Sequence, residues 1–178
     1  KLSYLLIFVL FTSLFCKSDA VYLVPIQGDI DMGLPYFIER AIVAAESDNA
    51  GVIIFDIDTF GGRVDAATKI KDLILGSDIE TIAFINRRAI SAGALISLSC
   101  DKIFMADGGT IGAATAVNAQ GEKASEKVIS YMREEMASTA EANNRSRQIA
   151  EAMVDENISI DFMISVSKDT IKSDLIMG

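Results

Sequence analysis

The sequence contains no histidine among its 178 residues. A Ser-His-Asp triad therefore cannot be built from this chain. A serine nucleophile would need a different general base, and lysine is the natural candidate because an amine shielded from water can lose its proton near neutral pH. Any serine-based catalysis by this chain must therefore use a residue other than histidine as its general base.

Cysteine is also scarce, since only Cys16 and Cys100 are present. If the N-terminal segment is removed, only Cys100 remains, which excludes an internal disulfide and a cysteine-rich zinc cluster. The lack of histidine further disfavours a transition-metal site, although carboxylates could still bind a hard cation. We expect no cofactor.

Positive charge is limited, because 16 lysines and arginines face 25 aspartates and glutamates and leave a formal net charge of −9. Attraction to phosphate groups requires a basic surface. The composition therefore argues against nucleic acid as a partner.

The only long hydrophobic run lies near the start of the chain, at residues 5–11, after Lys1 and before small and polar residues that end at Ala20. This layout is typical of a secretory signal peptide cleaved after Ala20. An uncleaved membrane anchor is the alternative, although the run is shorter than the ~20 residues of a spanning helix. Cys16 allows a lipoprotein attachment site, which the preceding Phe15 fits poorly.

From residue 21 onward, strand and helix patterns alternate and predict an α/β domain with a mainly parallel sheet. The apolar run at 52–57 is typical of a sheet covered on both faces, and Pro25 places the first strand at an edge or near a strand end. The predicted strands are 21–27, 52–57, 81–85, 102–106, 158–164 and 174–177; the predicted helices are 34–45, 64–74, 91–99, 127–142 and 147–154; and residues 107–126 are predicted to form a loop. We expect residues 1–20 to be a signal peptide or anchor and residues 21–178 to be one domain whose C-terminal end stops short of completion.

Two small motifs follow strands and should meet at the carboxyl edge of the sheet. Gly61-Gly62 can present backbone N–H groups to an oxyanion, because glycine permits close approach and positive φ. Ser91 begins a helical stretch, where exposed amides and the helix dipole favour negative charge. An ordinary turn and a plain N-cap serine are the alternatives, and each is favoured when its motif is taken alone.

Three lysines are candidates for the general base. Lys102 begins a strand on the far side of the short helix, and Lys123 lies in the loop, where water should keep it charged. Lys127 lies where the loop meets a helix and precedes apolar Val128 and Ile129, so its burial is feasible. The spacing of these lysines does not choose among them.

Several motifs together resemble the NfeD-type membrane-associated serine proteases of the ClpP/crotonase superfamily. The resemblance covers residues 21–160 and implies a ClpP/crotonase-like fold with repeated β-β-α/βα units. The absence of histidine fits this branch better than the histidine-using ClpP branch. The motifs that carry the resemblance are Asp58–Asp65, Arg88–Ala94, Gly109–Ala113, Lys127–Arg133 and Asn144–Val154.

The resemblance implies a Ser-Lys dyad with Ser91 as nucleophile and Lys127 as general base, and it implies oxyanion donors at the amides of Gly62 and Ala92. It also implies cleavage of hydrophobic segments of membrane proteins, including stomatin- or prohibitin-like partners. The resemblance further implies a homo-oligomer, a dimer or larger. It also implies a membrane-associated, extracytoplasmic location.

The chain departs from the family pattern at Phe60, where proline usually precedes the two glycines, and it lacks the final helix and strand of the domain. Two other functions remain open at this point. One is a catalytically inactive scaffold of a membrane protein complex, and the other is a crotonase-like acyl-CoA enzyme, which the signal-like N-terminus opposes. A further hypothesis is that the loop at 107–126 closes over bound substrate as a lid.

Overall fold

The computed structural model describes residues 20–117, 120–167 and 170–177, and it describes side chains as far as residue 160. The predicted signal peptide or anchor at residues 1–20 lies almost entirely outside this part. In chain order the elements are β1 (Val21–Ile30), α1 (Leu34–Ser47), β2 (Val52–Gly62), α2 (Val64–Leu75), β3 (Glu80–Ile90), α3 (Ala92–Ser99), β4 (Lys102–Met105), β5 (Thr110–Gly112), α4 (Glu126–Ala142), α5 (Arg147–Ala152), β6 (Ile160–Ser167) and β7 (Thr170–Met177).

The main sheet is parallel and has the strand order β1-β2-β3-β4. The long strand β3 pairs with β4 along its first half and with β5 along its second half. Strands β6 and β7 form a separate antiparallel pair. The predicted α/β class with a mainly parallel sheet is confirmed, and β1 is the edge strand that Pro25 indicated.

One face of this sheet carries the helices and the core. Alternate residues of β2 point into it, namely Ile53, Phe55 and Ile57, and all three are fully buried. Because strand side chains alternate between faces, their neighbours lie on the opposite side of the sheet. This alternation places Thr59 and the end of β2 against the short helix α3.

The opposite face of the sheet is open, so the prediction that both faces are covered is wrong for this side of the described chain. Leu23 on β1 is 68% exposed and Phe104 on β4 is 55% exposed. The apolar run in β2 led to that prediction, yet Ile54 on this face is only half-buried. The helices of the described residues pack on one side only, which leaves this apolar surface accessible.

Helix α4 packs through four residues that recur at the 3.6-residue helical period, Ile129, Met132, Met136 and Ala140, and all four are buried. Asn143, just past its end, donates a 2.9 Å hydrogen bond from its side-chain amide to the Leu98 carbonyl. The C-terminal ends of α3 and α4 therefore meet. No helix in the part of the chain that the structure describes is long and apolar enough to cross a membrane.

Candidate active site

Ser91 lies between β3 and α3 in a backbone conformation that is rare for residues with a side chain, with φ of 54° and ψ of −115°. Its amide donates a 2.8 Å hydrogen bond to the Gly112 carbonyl, which ties this conformation to β5. Its hydroxyl makes no capping hydrogen bond to α3. The plain N-cap alternative is therefore wrong, because the hydroxyl does not satisfy the helix.

The first turn of α3 begins directly after Ser91. The Ser91 carbonyl accepts the first helical hydrogen bond from the Ala94 amide at 2.9 Å. The preceding amides of Ala92 and Gly93 come before any intrahelical bond, as the first amides of a helix do. Every residue of α3 is buried, so these amides form a fixed, positively polarised end beside Ser91.

Gly61 fits against the start of α3 because it has no side chain. A Cβ on Gly61 would lie 2.8 Å from the Ser91 Cβ and 3.3 Å from the Ala92 nitrogen. The φ of Gly61 is +109°, a conformation that strongly favours glycine. The structure therefore brings the glycine turn and the serine together, as the sequence predicted.

The amide of Gly62 has a different environment from that of Gly61. The Gly61 amide donates a 2.9 Å hydrogen bond to the Thr59 hydroxyl, so this amide is not available to an oxyanion. Arg63 donates to the Ile30 carbonyl of β1 at 2.8 Å. The Gly62 amide lies between these two engaged amides, and its role as an oxyanion donor remains a prediction.

Lys127 is the second residue of α4 and is exposed. No hydrogen bond joins the two side chains. The burial that the sequence allowed for this lysine is absent from the single chain. In the described residues the first turn of α4, Glu126 to Val128, is exposed, and Ile129 is its first buried residue.

The other two candidate lysines are engaged in ion pairs. Lys123 lies 2.8 Å from Glu156, whose carboxylate raises the pKa of the lysine. Lys102 pairs with Glu80 across the strand register. For Lys123 this favours the charged ammonium form, which cannot accept a proton. Lys127 has no ion-pair partner among the described side chains, and its role as the general base remains a prediction.

Part of the predicted loop at 107–126 is ordered structure, which corrects that prediction. Residues 110–112 form β5 and pair with the end of β3, and this pairing supplies the carbonyl that holds Ser91. Further along, Val117 forms an antiparallel bridge with Lys123. The Ala114 amide also donates to the Met153 carbonyl at 2.8 Å. These bonds fix both ends of the segment, and the lid hypothesis remains untested.

A cleft of about 630 Å³ lies beside the glycine turn, between the start of α2 and the first half of α4. Tyr131 lies one helical turn after Lys127, so both residues are on the same side of α4. The cleft is large enough for an apolar side chain, and neither Ser91 nor Lys127 is among its lining residues. Its lining residues are Arg63, Val64, Asp65, Thr68, Lys69 and Tyr131.

A charged and aromatic cluster beside the glycines was not predicted from the sequence. The Arg88 guanidinium lies 4.4 Å from the centre of the Phe60 ring, and its Nε donates to Asp58 at 3.2 Å. Arg87 lies 3.7 Å from the same carboxylate. The signal available in the sequence was the arginine pair that ends three residues before Ser91. Within the described residues no group of three or more Asp, Glu or Cys side chains is placed to hold a metal ion.

The fold and the strained serine define a ClpP-like α/β protein. A solved structure of ClpP1 from Listeria monocytogenes superimposes with a TM-score of 0.62 at 25% identity, covering 76% of this chain and 79% of that one. A family model described as the N-terminal domain of NfeD1b matches residues 20–171. The chain belongs to this family.

Two curated relatives and two solved structures refine the comparison. The membrane protein NfeD1b of Bacillus subtilis is 42% identical over 142 residues, which is 80% of this chain and 32% of that protein. The membrane-bound protease PH1510 of Pyrococcus horikoshii is 31% identical over 164 residues, 88% of this chain and 37% of that protein. The chain thus spans about a third of the length of these curated relatives.

The solved structures are variants of the 1510-N membrane-bound stomatin-specific protease. A serine-to-alanine mutant matches with a TM-score of 0.71 and 33% identity, covering 77% of this chain and 70% of that one. A lysine-to-alanine mutant in complex with a substrate peptide matches with a TM-score of 0.74 and 32% identity, covering 80% and 68%.

Proposed function

We propose that this chain is a serine endopeptidase in which Ser91 is the nucleophile and Lys127 is the general base. The observation that carries the proposal is the strained Ser91, whose hydroxyl is not used as a helix cap and whose Cβ is pressed against Gly61. Backbone strain of this kind persists where the surrounding structure enforces it, and it clusters at active sites. The sequence similarity to the membrane-bound protease PH1510 supports the same conclusion.

In the proposed reaction, neutral Lys127 takes the proton from the Ser91 hydroxyl while the serine oxygen bonds to the scissile carbonyl carbon. The carbonyl oxygen becomes an oxyanion and accepts hydrogen bonds from the Gly62 and Ala92 amides, each worth about 3–4 kcal/mol in comparable sites. The Lys127 ammonium then gives its proton to the leaving amine as the C–N bond breaks. Water, deprotonated by Lys127, hydrolyses the resulting acyl-enzyme and releases Ser91.

This chemistry requires Lys127 to act as a neutral amine, and a lysine does so only when it is shielded from water. Because Lys127 is exposed in the single chain, an apolar substrate bound in the cleft beside Tyr131, or a second copy of the chain, has to cover it. We therefore include in the proposal a homo-oligomer, a dimer or larger, and activity that depends on such coverage.

The proposed substrates are hydrophobic segments of membrane-associated proteins, such as stomatin-like partners. The apolar character of Val64 and Tyr131 in the cleft supports an apolar substrate. The relatives are named as membrane proteins or as a membrane-bound, stomatin-specific protease. We propose the same membrane-associated setting for this chain, on the extracytoplasmic side.

The direct test is a mass-spectrometric digest of hydrophobic peptides with the wild-type chain and with Ser91→Ala in parallel. Cleavage by wild type that disappears in Ser91→Ala supports the proposal and reads out the site preference. Equal cleavage by both proteins, or cleavage by neither of them in the dimeric or larger form, contradicts it.

A further inference from the structure

The carbonyl group that holds the Ser91 amide belongs to a sharply kinked piece of backbone. Gly112, the last residue of β5, has φ of +125°, and the next residue, Ala113, has φ of +48°. A left-handed conformation is unfavourable for a residue with a side chain, and Ser91 itself has φ of 54°. Strained backbone persists only where the surrounding structure enforces it. The contacts that hold this kink therefore also hold Ser91.

Strand β5 gives the kink little support of its own. It consists of three residues that pair along one side with the end of β3. Thr110 is exposed and Ile111 is only half-buried. Segments with few buried contacts open easily, so a further contact has to hold Gly112 and Ala113 in place.

Met153, which directly follows α5, makes that contact on both sides of Ala113. Its carbonyl accepts a 2.8 Å hydrogen bond from the Ala114 amide. Its side chain lies against Gly112, since a Cβ added to this glycine would be 3.4 Å from the Met153 Cγ and 3.9 Å from its Sδ. Met153 thus contacts the residue before the strained alanine and the residue after it.

The end of α5 is a firm support for Met153. Val154 is buried, and its carbonyl accepts a 2.7 Å hydrogen bond from the Thr115 hydroxyl. Asp155 forms an ion pair with Arg133 of α4. The last carbonyls of a helix have no donor within the helix, and here the segment after β5 supplies donors at the end of α5. This end of the helix is consequently fixed to two other parts of the domain.

We propose that Met153 is a positioning residue for Ser91. Its side chain and its carbonyl hold the kink at Gly112 and Ala113, and the Gly112 carbonyl holds the Ser91 amide in its strained conformation. This inference rests on the proposed peptidase function for the role of Ser91 as nucleophile. The hydrogen bond of the Ser91 amide can nevertheless be measured without turnover, so the two proposals can fail separately.

The test compares wild type with three variants. Met153→Ala removes the side chain that lies against Gly112, and Met153→Leu restores most of its volume. Ile42→Val is the matched control for a general loss of packing, because Ile42 is buried on α1, which packs against β1 and α2.

Two properties of Ser91 are measured in each protein. Hydrogen exchange followed by NMR gives the exchange rate of the Ser91 amide relative to that of the Ile70 amide inside α2, which corrects for global unfolding. A serine-directed fluorophosphonate gives the labelling rate of the Ser91 hydroxyl, determined by mass spectrometry.

We expect Met153→Ala to raise the relative exchange rate of the Ser91 amide by about tenfold or more, because the kink then opens locally more often. The same variant should lower the labelling rate of Ser91 by about tenfold or more, since a small displacement of a reacting group is costly. Met153→Leu conserves volume and Ile42→Val lies away from the kink, so both should stay within about threefold of wild type.

Unchanged relative exchange in Met153→Ala would overturn the inference, and so would unchanged labelling of Ser91 despite faster exchange. An equal effect in Ile42→Val would also overturn it, because a general loss of stability would then explain the result. Faster exchange in Met153→Ala, together with a wild type that the fluorophosphonate does not label, would support the hold of Met153 on Ser91 and contradict the peptidase.

Discussion

The Cα of Gly61 faces Ser91 so closely that a Cβ on Gly61 would lie 2.8 Å from the Ser91 Cβ. Gly61→Ala should therefore push Ser91 and the start of α3 out of place, in addition to straining a backbone with φ of +109°. We expect a loss of about 2–4 kcal/mol in the free energy of unfolding, from strain and overpacking together. Urea denaturation measures it.

Gly28→Ala is the matched control, because Gly28 also has a positive φ, of +77°, but no atom lies within 4 Å of its added Cβ. We expect Gly28→Ala to lose only about 1 kcal/mol in the free energy of unfolding, from backbone strain alone, and to leave the reactivity of Ser91 unchanged. Equal losses of stability in both variants would show that Gly61 does not make this close contact.

Ser91 itself stores backbone strain, so its removal should stabilise the fold while ending catalysis. Glycine tolerates the φ of 54° and ψ of −115° found at this position. We expect Ser91→Gly to unfold at a higher temperature than Ser91→Ala, by a margin worth about 1 kcal/mol. If calorimetry gave the higher unfolding temperature to Ser91→Ala, the backbone at residue 91 would not be strained.

Lys127→Ala should reduce peptide cleavage by about a hundredfold or more, in keeping with the loss of a general base. Lys123→Ala is its control: Lys123 is a neighbouring lysine whose pKa is raised by Glu156, and its removal should change kcat less than threefold. Initial rates on one peptide substrate, with circular dichroism to verify folding, compare the two variants. A larger loss in Lys123→Ala than in Lys127→Ala would reassign the base.

The end of α5 has an acid-sensitive contact. Hydrogen bonds from the amide and side chain of Asn157, followed by Arg133, hold the pKa of Asp155 below its usual value. A carboxyl group with a depressed folded-state pKa stabilises the protein above its unfolded pKa of about 3.9, and this contribution is lost as pH falls through the folded value.

Asp155→Asn should consequently lower the urea midpoint at pH 7, and the difference from wild type should shrink as pH falls below about 4. The control is Asp78→Asn, since Asp78 is exposed and has no ion-pair partner among the described residues. Urea titrations at a series of pH values provide the comparison. A pH-independent difference for Asp155→Asn would mean that lost packing, rather than charge, explains it.

The elements with long periodic patterns could be predicted from the sequence, and the features that depend on tertiary contact could not. The inner face of α4, with Met132 and Met136, follows directly from its 3.6-residue period. Strand β5 has only the three residues Thr110–Gly112, too few for a periodic signal, and it becomes a strand because the second half of β3 offers it a partner. The open sheet face was missed because an apolar strand does not reveal what covers it.

The same division applies to the site. The order of Gly62 and Ser91 along the chain placed both at one edge of a parallel sheet, and the structure brings this region together. The conformation of Ser91, however, depends on Gly112 in β5, which the sequence did not reveal. The exposure of Lys127 is likewise set by how α4 docks against α3, through contacts far from the lysine in sequence.

The most direct test of the Ser91–Lys127 assignment is covalent labelling of Ser91. The wild-type chain, Lys127→Ala and Lys123→Ala are each incubated with a serine-directed fluorophosphonate, and the labelled residue and its labelling rate are determined by mass spectrometry. We predict a single adduct on Ser91 that forms at similar rates in wild type and Lys123→Ala but at least tenfold more slowly in Lys127→Ala, since the base that activates the hydroxyl is gone. An adduct on another serine, or equal rates in all three proteins, would contradict it.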